Sequence, residues 1–184
     1  MTTKTPAKPK LILGGDPDAK FERIPPAQFF TSWNQEFIAS PELQEIAHAL
    51  ISAHEDKFDH MKHFTLRVVW KKKRTKDAMA KCIKTSGLVQ FYGACDFVIW
   101  LAADHLRLCE ATSYQVEAVV FHELLHTSVE YLEQEHGDPI PRPALNPHDF
   151  EGFCDEVTEY GLYFSDMKPI AKAFLQLELD LSAA

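Results

Sequence analysis

Ala118-Val119-Val120-Phe121-His122-Glu123-Leu124-Leu125-His126 is an apolar run broken by His122 and Glu123 and closed by His126. An α-helix turns about 100° per residue and rises about 1.5 Å, so the two histidines project about 40° apart and stand about 6 Å apart along the axis. Two imidazoles placed side by side can grip one metal ion, and neutral imidazole is a good zinc ligand. Glu123 falls within the same arc, where a carboxylate can take a proton from a water attacking a carbonyl. The apolar flanks mark a mostly buried helix. A buried carboxylate without a partner is costly, and a metal ion with its water supplies that partner. Chance matches to H-E-x-x-H at this composition number roughly 0.04, so the pattern is informative by itself.

Working outward, Ser113 opens this helix, which is expected over roughly 113–135 and stopped by Gly137-Asp138-Pro139. A proline-rich connection leads to Pro147, which starts another helix over about 148–164, and a last helix follows Pro169. Upstream, Asp96-Phe97-Val98-Ile99-Trp100-Leu101 reads as a buried strand, and His63 to Trp70 as another. A further strand is expected between Leu88 and Tyr92, and a short helix over 76–84. Ser40-Pro41-Glu42 combines a capping residue, a proline suited to the first turn and an acid at the positive helix end. It predicts a helix through about residue 55, and Phe29 to Phe37 is also read as helical. Helix, strands, then helices describe an α+β domain. Residues 1–20 are expected to form a flexible tail, and 21–184 one domain.

A catalytic zinc site has three protein ligands and one open position. The downstream candidates are His136, His148, Glu151, Glu156 and Glu159. A helix continuing to His136 would carry it about 15 Å along the axis, out of reach. His148 follows the break at Gly137 to Pro147, where the chain can return past the metal, and is the favoured ligand. Glu151 or Glu156 remains the alternative, which would make a His-His-Glu site. Asp149 could orient His148, or simply favour a helix start. Glu130 continues the histidine line by one turn, and Tyr160 or Tyr163 could polarise a carbonyl. A solvated face and core packing are the plainer readings of those residues. His105 is given no role.

The 184 residues carry a net charge of −8, which argues against general nucleic-acid binding. The basic run Lys71-Lys72-Lys73-Arg74, with Lys76, reads as the solvated end of a strand. Cys82, Cys95, Cys109 and Cys154 never form a C-x-x-C pair, so neither a zinc ribbon nor a disulfide framework is indicated. No secretory leader or membrane-spanning run is visible, and a cytoplasmic protein without membrane association is expected.

With these residues in view, the chain resembles the putative phage metallopeptidase family. The resemblance rests on Asp96 to Leu101, Ala118 to His126, and His148-Asp149-Phe150 with Phe153, and covers roughly residues 40–165. It is similar, more distantly, to the SprT-like zinc proteases. It departs from them in carrying Asp149 where they usually have glycine, and in lacking their four-cysteine ribbon. The resemblance implies a zincin-like fold, with the H-E-x-x-H helix under a small mixed sheet. It implies His122, His126 and His148 as Zn2+ ligands, Glu123 as catalytic base, and a peptide or protein substrate. The expected activity is that of a zinc metallopeptidase, with Asp96 to Leu101 offering an edge for an extended peptide. Two rivals stand beside it: a zinc-containing binding or inhibitory protein without activity, and a nucleic-acid-associated protease using Lys71 to Lys76.

Overall fold

The computed structural model describes residues 10–30, 35–75, 78–148, 154–161 and 163. It is a mixed α+β structure with a small mixed sheet and surrounding helices. Strands β1 (Phe37–Ala39), β2 (Leu66–Lys71), β3 (Ala80–Lys84) and β4 (Phe97–Ala102) form one sheet in the order β1-β2-β4-β3. The β2–β4 pair is parallel, whereas β1 and β3 run antiparallel to their neighbours. A separate hairpin pairs β5 (Thr127–Leu132) with β6 (Ile140–Leu145).

The helices are α1 (Pro41–Ala53), α2 (Glu55–Phe58), α3 (Gly87–Gly93), α4 (Ala103–Leu108), α5 (Ser113–Leu125) and α6 (Cys154–Tyr160). The start of α1 follows the expected chemistry: Ser40 Oγ accepts the Leu43 N–H at 3.2 Å, with Pro41 in the first turn. Thr112 opens α5 in a reciprocal capping box with Gln115. Helix α1 packs on β2 and α5, and α5 packs on β3 and β4. Leu43, Leu50, Phe97, Ile99, Leu101, Val116, Val120, Phe121 and Leu124 are wholly buried between these layers. Strand β4 is apolar throughout because it lies inside the sheet with both faces covered.

Several expectations need correction. Helix α5 ends at Leu125 instead of continuing to about 135, and the chain turns directly into β5. Thr127 and Val129 are β-branched and suit a strand, and the Thr127 hydroxyl donates to the Leu124 carbonyl at 2.7 Å, closing the helix end. The proline-rich connection holds β6. Pro141 and Pro143 pair opposite Tyr131 and Val129. Standing two residues apart in one of only two strands, they leave their missing N–H groups on the outer edge. Residues 80–84 form a strand, not a helix, with Ala80 and Cys82 buried and Lys81 and Ile83 exposed. Residues 87–93 form a helix, not a strand. Leu88, Val89, Phe91 and Tyr92 are exposed there, so the apolar content that suggested a strand packs into no core among the described residues. Within Phe29 to Phe37, the described residues show a 3-10 turn at Ala27–Phe29 and the first residue of β1.

Residues 10–20, in the stretch expected as a tail, contact α5. Leu11 is buried, the Ile12 N–H donates to Glu117 Oε2 at 2.9 Å, and Lys20 bridges to Thr112. The helix expected after Pro169 lies outside the described residues, as do Asp149 and Glu151. Lys71 ends β2, pairs with Glu36 and lies over the rings of Phe37 and Trp100. Among the described residues, no helix is long and apolar enough to cross a membrane.

Candidate metal centre

His122 lies in the last turn of α5, and His126 is the residue that caps it. The turn into β5 sends the chain out along the hairpin, and β6 returns it to the helix end. There the Asn146 N–H donates to the His126 carbonyl at 2.8 Å. Asn146 Nδ2 donates to the Leu125 carbonyl at 3.3 Å. Carbonyls that a helix end leaves unpaired are thus met by one residue, through its backbone N–H and its side-chain amide. His148 follows two residues later and arrives beside the other two histidines. The return that the sequence suggested does occur, but through a β-hairpin, and His136 is left exposed in the hairpin connection.

His122, His126 and His148 each offer a ring nitrogen, and these atoms all lie within 4.8 Å of one another. The ring centroids are 5.2 Å (122–126), 5.0 Å (122–148) and 4.5 Å (126–148) apart. Nitrogen donors at about 2.0–2.1 Å from a tetrahedral ion stand about 3.3 Å apart, so small ring rotations close this group on a cation. His122 Nε2 lies 3.1 Å from His148 Nε2, a separation that calls for a proton or a cation between two lone pairs. The donor set is all nitrogen, which suits zinc and other late divalent metals.

Hydrogen bonds fix how the rings face. His122 Nδ1–H donates to Glu156 Oε2 at 2.6 Å, and His126 Nδ1–H donates to the Asn146 carbonyl at 2.9 Å. Both rings therefore keep Nε2 as the lone-pair nitrogen. Burial pulls the His122 pKa down, but the bond to Glu156 and its charge outweigh this and leave it raised. The His126 pKa is lowered by burial, against the pull of the Asn146 carbonyl.

Glu123 is 5% exposed, and its Oε2 is buried without a hydrogen-bond partner. Burial pushes its pKa up to about 7, against the charge of His122 and a hydrogen bond from the Cys82 N–H. A carboxylate of that strength suits proton transfer at neutral pH. Its link to Cys82 also brings β3 to the site. The β3 residues with odd numbers face β4, as Thr85 N–H to the Asp96 carbonyl shows, so Cys82 presents its backbone to the free side. Strand β4 is flanked by β2 and β3 and has no open edge, whereas β1 and β3 are the outer strands of this sheet among the described residues. The edge expected at Asp96 to Leu101 is therefore absent, and of the two outer strands it is β3 that meets Glu123.

Glu156 is 1% exposed and bonds to His122. Glu159 is exposed on α6, and Glu130 is exposed on β5 opposite Arg142. Neither tyrosine is placed as a carbonyl polariser: the Tyr160 hydroxyl donates to Glu117 Oε1 at 3.0 Å, and that of Tyr163 donates to Glu156. His105 sits on α4 near Arg74 and Cys109. A cavity of about 510 Å³ opens beside His148, with Lys57, His60, Leu125 and Thr127 among its walls. Asn146 and Cys82 escaped sequence reasoning. Asn146-Pro147 carried a turn signal that pointed to them only as loop, and Cys82 contributes a backbone N–H that no side chain announces.

The fold and donor set define a mixed α+β domain with a histidine triad able to hold a metal ion. Residues 35–175 match the family model described as putative phage metallopeptidase, and the chain belongs to that family. The matched stretch contains the triad, and membership implies a metal and a peptidase class of chemistry. No curated protein and no solved structure matches the chain.

Proposed function

We propose that the chain is a zinc-dependent metallopeptidase with a zincin-like architecture, in which His122, His126 and His148 hold Zn2+ and Glu123 is the general base. The observation that carries this reading is the convergence of three imidazoles from two separate segments, with the buried carboxylate of Glu123, whose Oε2 lacks a partner, next in sequence to His122. When bound, the ion supplies Lewis acidity, which acidifies a water and polarises a carbonyl. Glu123 removes the proton from the water that attacks the peptide carbonyl. It then returns that proton to the amine as the C–N bond breaks, yielding a carboxylate and an amine. The free edge of β3 can hold an extended peptide by backbone pairing, and the cavity beside His148 has room for a side chain next to the scissile bond.

The test is Glu123→Gln. The variant should retain one zinc per chain and lose peptide cleavage by about 10²-fold or more, as expected when a general base is removed. Cleavage of a peptide library by the zinc-loaded wild type, abolished by chelator, separates an enzyme from a zinc-holding binding protein. Turnover retained by the variant would remove Glu123 from the mechanism.

A further inference from the structure

We infer that Glu156, clamped by Tyr163, is a positioning residue for the metal centre and not one of its ligands. This rests on the reading that the three histidines hold the ion. Glu156 comes from α6, separate from both segments that carry the histidines. It is among the largest wholly buried side chains of the molecule. A carboxylate removed from water needs its oxygens satisfied, and here each has a named donor. Oε2 takes the Nδ1–H of His122 at 2.6 Å, and Oε1 takes the hydroxyl of Tyr163.

The consequence falls on His122. Its Nδ1 is committed to Glu156, so its proton stays there and Nε2 is presented, unprotonated, to His148 Nε2 at 3.1 Å. A carboxylate on the far side of the ring also makes that nitrogen a stronger donor. The same ring nitrogen of His126 donates to a neutral carbonyl, that of Asn146. The two rings on α5 are thus held unequally, and His122 is the better anchored.

Tyr163 makes the arrangement selective. Its hydroxyl holds the second oxygen of Glu156, while its backbone carbonyl accepts Gln115 Nε2 at 2.8 Å. Gln115 also belongs to the capping box at the start of α5. Tyr163 is thereby tied directly to the start of the helix that carries His122 and, through Glu156, to its last turn. The pull of Tyr163 keeps the carboxylate turned so that one oxygen faces His122, leaving neither free to enter the coordination sphere.

The experiment is zinc affinity by competition with a chromophoric chelator, run on wild type, Glu156→Gln, Glu156→Asp and Tyr163→Phe, with the melting temperature of each metal-free protein measured alongside. Loss of an orienting partner typically costs 10–100-fold in metal affinity. Glu156→Gln should weaken zinc binding by about that factor, and Tyr163→Phe by less, with a fall in metal-free melting for Tyr163→Phe because Oε1 of Glu156 loses that donor. Cobalt substitution adds a readout that fold stability does not move. Co(II) in Glu156→Gln should keep the visible absorption of the wild-type coordination sphere. A changed spectrum would make Glu156 a ligand and overturn the inference. Equal zinc affinity in wild type and all three variants would overturn it too. Failure of the wild type to bind zinc at all would instead sink the proposed metallopeptidase reading. If Glu156→Gln does not fold, the comparison of wild type, Glu156→Asp and Tyr163→Phe carries the same decision.

Discussion

Glu117 is only 3% exposed on α5, and its two oxygens accept the Ile12 N–H and the Tyr160 hydroxyl. Burial raises its pKa, although both hydrogen bonds pull the other way. The folded protein then keeps this proton to higher pH than the unfolded chain does. Stability from this residue is therefore full below the ordinary carboxylate pKa and falls as pH rises through the raised value. Glu117→Gln removes that slope. The melting temperature of the variant minus that of the parent should become more positive between about pH 4 and about pH 8. A difference that stays constant with pH would show that Glu117 does not titrate as its burial demands. The same comparison distinguishes the two buried acids of α5. Glu117 has donors on both oxygens, whereas Glu123 Oε2 has none. The first reads as structural, the second as reactive.

At the scale of elements, α5 depends on its first turn. Thr112 Oγ1 accepts the Gln115 N–H at 3.3 Å, and Gln115 Oε1 accepts the Thr112 N–H at 3.0 Å. Thr112→Ala should cost about 1 kcal/mol in urea unfolding, the usual value of a lost cap. A change within error would mean that packing alone holds the helix start. The start of α5 was legible in sequence, and its end was not. The periodicity of Ala118 to His126 continues plausibly into Thr127-Ser128-Val129, and no glycine or proline interrupts it. What ends the helix is a cap supplied from afar by Asn146, together with pairing of β5 to β6. Long-range contacts of that kind leave no local mark. Strand β4 was legible because a six-residue apolar run fits an interior strand. Strand β3 is short and mixes two lysines with small or apolar residues, and α3 exposes its apolar side chains. Both lie where local composition and tertiary placement disagree. The three histidines were legible because ligand chemistry restricts residue type and spacing. Glu156 was visible only as a possible ligand, since its orienting contact depends on where α6 docks.

Across the whole molecule, the candidate centre joins three segments distant in sequence: the end of α5, the loop after β6, and α6. Each is positioned by a different device, namely core packing, a hairpin and a buried carboxylate. The sheet contributes the free edge of β3, coupled to the site through the Cys82 N–H and Glu123. Together they bring a histidine triad able to hold a metal ion, a buried carboxylate and an outer strand of the sheet to one place among the described residues. The most direct test of a single cation held by three imidazoles is zinc-edge X-ray absorption on protein loaded with one zinc per chain. The account predicts three imidazole nitrogens and one oxygen donor at about 2.0–2.1 Å. A sulfur scatterer at about 2.3 Å, or fewer than three imidazoles, would contradict it.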